Sequence, residues 1–277
     1  QPAKEHYVVD PASGAAANLS PEESARILGG EDTMWSEYVS PENVDSRIWP
    51  RTAPIAERFW SPQNVTDINS MYQRMDEISR RLDWLGLTHN SSYLPMLRRI
   101  AGTDDISALR VLADVVEPVK GYSREETSPA EPTSLMPLNR LVDAARPESS
   151  TARHFADLVN SLLAGSADVN TKAQIRKWLV LWKDNDARLQ PLENQSFLLK
   201  EVAPLSQNLS TLAAAGLEAM DYIDRGEHPS DAWKTQQLAL VKQAQESKAQ
   251  LLIMIAPAIQ RLIDPAATVT GPAKAGQ

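Results

Sequence analysis

Ile27-Leu28-Gly29-Gly30-Glu31-Asp32-Thr33-Met34-Trp35-Ser36-Glu37-Tyr38-Val39 starts apolar, sets two glycines side by side and then alternates aromatic, polar and acidic side chains. Adjacent glycines let another part of the chain approach the backbone closely. The pattern predicts one short buried strand over about residues 27–34 that runs into a functional loop. On an extended segment Trp35 and Glu37, two positions apart, project to the same side. An indole face and a carboxylate can then converge on one ligand. Sugars suit that pair, because the C–H face of the ring packs on an aromatic and a carboxylate accepts from two hydroxyls. Glu31 and Asp32 are neighbours and point to opposite faces of such a strand, so only one of them can face a ligand.

Working outward, Ser20-Pro21-Glu22-Glu23 is a helix start, with Ser20 as cap, Pro21 at the first helical position and Glu23 completing a capping box. Downstream, Ser40-Pro41-Glu42-Asn43 begins a helix over about 41–60, with Ile48, Ile55, Ala56 and Phe59 facing inward and Pro50 as an early turn or kink. From about residue 64 the chain reads as helix after helix, with apolar residues three and four apart and almost no β-branched alternation. Ile68, Met71, Met75, Ile78, Leu82 and Leu85 share one face of a helix over about 67–85, and Gly86 stops it. A second periodic block, Tyr93 to Val116, breaks near Gly102.

The density of proline at Pro118, Pro129, Pro132 and Pro137 predicts an irregular crossing over 118–137. Helices resume at Leu138. Ile175, Trp178, Leu179 and Trp182 form one apolar stripe; Leu209, Leu212, Leu217, Met220 and Ile223 form another that ends near Gly226. Both read as bundle core. A last long helix is expected from Ser230 to Ile263, followed by a Pro/Ala/Gly/Thr-rich tail over 264–277 that frays. The fold class is therefore mainly α, with domains expected at 1–88 and 89–277.

Composition excludes several functions. The 277 residues carry 28 Lys+Arg against 36 Asp+Glu, a net charge of −8, with no basic cluster. Nucleic acid is thus a poor partner. No cysteine is present, which removes disulfide frameworks, thiolate metal sites and cysteine nucleophiles. No run of apolar residues is long enough to span a bilayer, and Gln1-Pro2-Ala3-Lys4-Glu5 does not read as a signal peptide. His6, His89, His154 and His228 are scattered, without metal-ligand spacing, so neither metal nor cofactor is expected. No Gly-x-Ser-x-Gly elbow, dinucleotide fingerprint or Walker loop occurs. Asn-x-Ser/Thr sequons begin at Asn18, Asn64, Asn90, Asn194 and Asn208, and these residues are read as caps. Asp104-Asp105 and Glu125-Glu126 read as a solvated helix start and a solvated loop.

Three blocks in register resemble a known family: Gly29 to Val39, then Asp45-Ser46-Arg47-Ile48-Trp49-Pro50-Arg51, then Ala56-Glu57-Arg58-Phe59-Trp60-Ser61, with His6-Tyr7-Val8-Val9-Asp10-Pro11 upstream. Together they resemble the end of a glycoside hydrolase family 20 domain, the β-N-acetylhexosaminidases. That family reads Gly-Gly-Glu-Ala-Cys-Met-Trp-x-Glu, so Asp32 and Thr33 depart from it. The resemblance implies a (β/α)8 barrel whose last strand is 27–34 and last helix 41–60, followed by a helical bundle. It assigns Trp35 to the wall of the sugar pocket and Glu37 to the outer hydroxyls of a terminal N-acetylhexosamine. It further implies a retaining, substrate-assisted mechanism, N-acetylhexosamine-containing glycans as partners, and a secreted or periplasmic, bacterial setting. The family's Asp-Glu pair sits in a His-x-Gly-Gly-Asp-Glu motif on an earlier strand. Gly29-Gly30-Glu31-Asp32 is not that motif, because the acidic order is reversed and Ile27 stands in the histidine place. No catalytic residue is therefore assigned here. The chain is expected to be a carboxy-terminal piece, inactive alone, whose partner is the preceding barrel region. The alternatives are a non-catalytic helical interaction or scaffolding module and a degenerate barrel that binds amino sugars without cutting them.

Overall fold

The computed structural model describes residues 1–128 and 133–266, which form two compact units, Gln1–Tyr93 and Leu94–Gln277. In the first, helices α1 (Ala3–Tyr7), α2 (Pro21–Ser24), α3 (Val44–Ile48), α4 (Thr52–Trp60) and α5 (Ile68–Trp84) are joined by long connections. Ala3 and Tyr7 of α1 pack with Met71, Tyr72 and Met75 of α5, and Ile68 leans on them. A polar knot ties three helices: the Tyr7 hydroxyl donates to Glu57 of α4 at 2.7 Å, and Arg74 of α5 reaches the same carboxylate through Nε at 3.0 Å. Asp67 caps α5 by accepting from the Ser70 amide at 3.0 Å. At the far end the apolar stripe runs out into solvent, since Leu85 is 77% exposed.

Three expectations for this unit are corrected. Residues 27–34 are not a buried strand: the segment carries no ladder, and Leu28 is 97% exposed. A strand exists only where a neighbour takes its N–H and C=O groups, and the two strands among the described residues pair with each other elsewhere. The helix expected over 41–60 is two helices, because Pro50 lacks an N–H and holds Trp49 in extended geometry (φ −97°, ψ 152°). Ala56, expected to face inward, is exposed, whereas Ile55 beside it is buried.

The second unit is mainly helical. Its helices are α6 (Tyr93–Ala101), α7 (Ser107–Ala113), α8 (Ser123–Glu126), α9 (Leu141–Ala144), α10 (Ser150–Leu163), α11 (Val169–Lys183), α12 (Asn185–Gln195), α13 (Ala203–Arg225), α14 (Asp231–Ala244) and α15 (Ala256–Ile263). The 23-residue α13 is the hub, packing against α11, α12, α14 and α15. At Gly216 a Cβ would stand 2.8 Å from both Leu179 of α11 and Ile259 of α15, so the glycine sets how closely those helices approach. Ile175, Leu179 and Trp182 are buried along α11, and Phe155 meets Trp182 edge-on at 4.8 Å. Gly226 ends α13 in the left-handed region at φ 65°.

The helix expected from Ser230 to Ile263 is interrupted. Ser230 does cap α14, but Ala249 and Gln250 take positive φ and turn the chain into a short strand, β2 (Leu251–Ile253). It pairs antiparallel with β1 (Val116–Pro118), Val116 opposite Ile253. The crossing over 118–137 is correspondingly less irregular than its prolines suggest, because β1 ends at Pro118 and α8 lies within it. The reason is a buried polar network. Arg124 of α8 pairs with Asp143 of α9 and donates to the Gln250 side chain at 3.2 Å, while Gln250 returns a bond to the Arg124 carbonyl at 3.1 Å. Residues 129–132 of the crossing, and the tail beyond residue 266, lie outside the described residues.

Candidate functional site

The site is carried by the connection between α2 and α3. Gly29 takes φ 147°, a conformation open to glycine. At Gly30 the backbone lies against the Phe59 ring of α4, so that an added Cβ would fall 2.8 Å from Cζ. Further along, Val39 donates to the Ser36 carbonyl at 3.2 Å and starts a turn. Ser40 and Asn43 then close a reciprocal pair: the Ser40 amide donates to Asn43 Oδ1 at 2.8 Å, and the Asn43 amide to Ser40 Oγ at 3.3 Å. Asn43 is itself buried. The stretch between Gly30 and Ser40 is thus clamped at both ends and presented to solvent between them.

Trp35 and Glu37 sit in that presented stretch. Trp35 is 76% exposed, and Glu37 is exposed as well. The extended path stops earlier than the sequence pattern implied. Trp35 ends it, and Glu37 already belongs to the turn that begins at Ser36. The two side chains share one short loop and are not aligned by a strand. Glu31 and Asp32 are both exposed, so neither is turned into structure as strand alternation required.

Asp32 nevertheless has a neighbour. Burial holds His6 of α1 below its ordinary pKa, and the Asp32 carboxylate pulls it the other way. Sequence reasoning missed this relationship and the Phe59 contact, because both join segments far apart in the chain. Of the other acidic pairs, the Asp105 carboxylate accepts from the Ser107 amide at 3.1 Å just before α7, and Glu125-Glu126 belongs to α8. Among the described residues no group of three His, Asp or Glu side chains is arranged to hold a metal ion, and no helix is long and apolar enough to cross a membrane.

Comparison with known proteins finds relatives that share this part of the chain. Residues 1–63 match the glycosyl hydrolase family 20 catalytic domain. The chain is 42% identical over 72 residues to the β-hexosaminidase subunit alpha of Bos taurus, a match spanning 26% of this chain and 13% of that protein. It is 33% identical over 96 residues to β-hexosaminidase subunit A1 of Dictyostelium discoideum, spanning 34% of this chain and 17% of that one. The likeness to the crystal structure of a chitobiase from Flavobacterium johnsoniae extends much further. It covers 95% of this chain and 39% of that one at a TM-score of 0.82 and 34% identity. The helical unit therefore has its counterpart in the same solved chain as the first unit. Residues 1–63, with their Gly-Gly-Glu-Asp-Thr-Met-Trp-Ser-Glu loop, are thus similar to the glycosyl hydrolase family 20 catalytic domain, and the chain spans well under half the length of the relatives it matches.

Proposed function

We propose that this chain is the carboxy-terminal portion of a β-N-acetylhexosaminidase, in which Trp35 and Glu37 form one wall of the pocket for a terminal N-acetylhexosamine. The observation that carries the reading is the clamped, solvent-facing loop from Gly30 to Ser40, which holds both residues at the site of the family match. An indole gives the sugar ring an apolar face, and a carboxylate fixes two hydroxyls and so the ring's orientation. In the assembled enzyme the 2-acetamido oxygen of the substrate attacks C1, one carboxylate orients that group, and a second carboxylic acid protonates the leaving oxygen. Those two carboxyl groups come from outside residues 1–277. Within this chain the work is recognition, with the helical unit as an accessory body.

The likeness to the chitobiase, which takes in 95% of this chain and 39% of that one, supports this reading over a free-standing helical scaffold. The test is turnover of an aryl N-acetyl-β-glucosaminide. The 277-residue chain alone is expected to give no rate above the buffer blank, since general acid catalysis needs a positioned acid. The same chain continuous with the preceding part of its catalytic domain is expected to turn over. Turnover by the isolated chain that is lost in Glu37→Gln would contradict the proposal.

A further inference from the structure

The end of α5 gathers a serine, a histidine and an aspartate that the glycosidase reading leaves unused. Ser79 and Asp83 are four residues apart on α5 and so share one face of the helix. Gly86, at φ 88°, stops the helix and turns the chain back. The return is pinned where Thr88 donates to the Asp45 carboxylate, through its amide at 2.7 Å and its hydroxyl at 3.0 Å. His89 is thereby delivered against the last turns of α5, its side chain only 1% exposed. Its Nε2 lies 2.8 Å from Ser79 Oγ, and its Nδ1 lies 3.7 Å from Asp83 Oδ1. Asn90 completes the group: its amide nitrogen is 3.1 Å from Ser79 Oγ and 3.0 Å from Asp83 Oδ2.

The Asn90 amide nitrogen is a donor only, and it lies 3.1 Å from His89 Nε2 as well as beside Ser79 Oγ and Asp83, so Nε2 is the acceptor of this cluster, 2.8 Å from the serine hydroxyl. That nitrogen then carries the lone pair, and the Asp83 carboxylate stands on the Nδ1 side at 3.7 Å, close enough to act by charge but longer than a hydrogen bond. A nucleophile hydrogen-bonded to a base that is in turn oriented by a carboxylate is the arrangement that activates a serine. Ser79 is half-buried, while His89 is sealed beneath it.

We propose that Ser79, His89 and Asp83, with Asn90, form an acyl-accepting site for small activated esters. Ser79 Oγ bonds to the carbonyl carbon as its proton passes to His89 Nε2, and the carbonyl electron pair moves onto oxygen. Collapse restores the C=O bond and expels the alcohol, which leaves with the proton from His89. Water then repeats the sequence and frees the acid. Asp83 stabilises the imidazolium formed in each half. The half-exposed serine lies on a helix flank, so the ester it takes is small. This activity is separate from glycoside hydrolysis and does not depend on the proposal for Trp35 and Glu37.

The test is covalent labelling of the intact 277-residue chain with an alkyl fluorophosphonate, read by peptide mass spectrometry. Ser79 Oγ displaces fluoride at phosphorus while His89 takes the proton, leaving a stable phosphonyl ester. One adduct, at Ser79, is expected, and it is absent from Ser79→Ala. Loss of the base in His89→Gln should slow labelling by about 100-fold or more. Asp83→Asn alters a partly exposed side chain and keeps the fold testable; labelling there should slow about tenfold, the effect of one pKa unit. An unlabelled parent chain, an adduct that survives in Ser79→Ala, or an Asp83→Asn variant labelled at the parent rate would overturn the proposal.

Discussion

The backbone of Gly30 rests on the ring of Phe59, with 2.8 Å between the ring's Cζ and the place a Cβ would occupy. This contact fixes one end of the loop that carries Trp35 and Glu37, and it makes the two positions interdependent. Gly30→Ala forces the ring aside, and the expected cost is about 1 kcal/mol, the low end for an overpacked contact, because the obstructing atom is the far end of a side chain. Phe59→Ala removes the obstruction. In the double variant the alanine at position 30 should add no further loss, so urea denaturation of the four proteins should give a strongly non-additive cycle. Additive losses would mean that the contact does not form.

Backbone protection should differ sharply along the chain. Residues 27–34 have no ladder, whereas residues 209–223 lie within α13 at the centre of the helical unit. Hydrogen exchange on the dilute chain is expected to be rapid at 27–34 and slow at 209–223. Equal protection in both segments would show that the first is paired.

The buried Arg124–Asp143 pair holds the proline-rich crossing to the Gln250 turn. Breaking one side of a buried, hydrogen-bonded pair leaves a charge without compensation and costs about 3–5 kcal/mol. Asp143→Leu should lower the unfolding free energy of the helical unit by that amount, read from denaturant titration. Replacing both residues, as Arg124→Met with Asp143→Leu, should recover most of it.

Glu193 gives the helical unit a pH dependence of definite sign. Burial raises its carboxyl above the ordinary value of 4.5, and the Asp186 carboxylate adds to the rise. Folding therefore shifts this carboxyl toward its protonated form relative to the unfolded chain. Its contribution is fully present below the unfolded value and is lost as pH rises through the folded one. Glu193→Gln should be more stable than the parent at pH 7, and the difference should shrink toward pH 4. A gap in thermal midpoint that is constant with pH would contradict this.

The helices were largely legible, because their signals are local. Ser20 with Glu23 closes the expected capping box, Ser230 caps α14, and the α11 stripe of Ile175, Leu179 and Trp182 is buried. What the sequence hid depends on distant partners. The apolar run through Ile255 and Ile259 matches a continuous helix, yet the chain turns at Ala249 and Gln250, where the Gln250 side chain finds Arg124 more than a hundred residues earlier. Residues 27–34 show the converse: a strand-like pattern takes no strand geometry where no neighbour supplies a ladder. Trp35 and Glu37 were legible as a pair by composition, but the turn at Ser36 that separates them was not. The Ser79–His89–Asp83 group could be anticipated only in part, from the i,i+4 pair and the glycine stop that follows it.

The central claim is that Trp35 and Glu37 recognise the terminal sugar, and steady-state kinetics on the polypeptide that contains the complete catalytic domain test it most directly. A hydrogen bond to a charged acceptor contributes about 1.5–3 kcal/mol. Glu37→Gln should therefore lower kcat/KM toward N-acetylglucosaminides by roughly 10- to 150-fold. Trp35→Ala should lower it as well by removing the apolar wall. Wild-type kcat/KM in both variants would contradict the account.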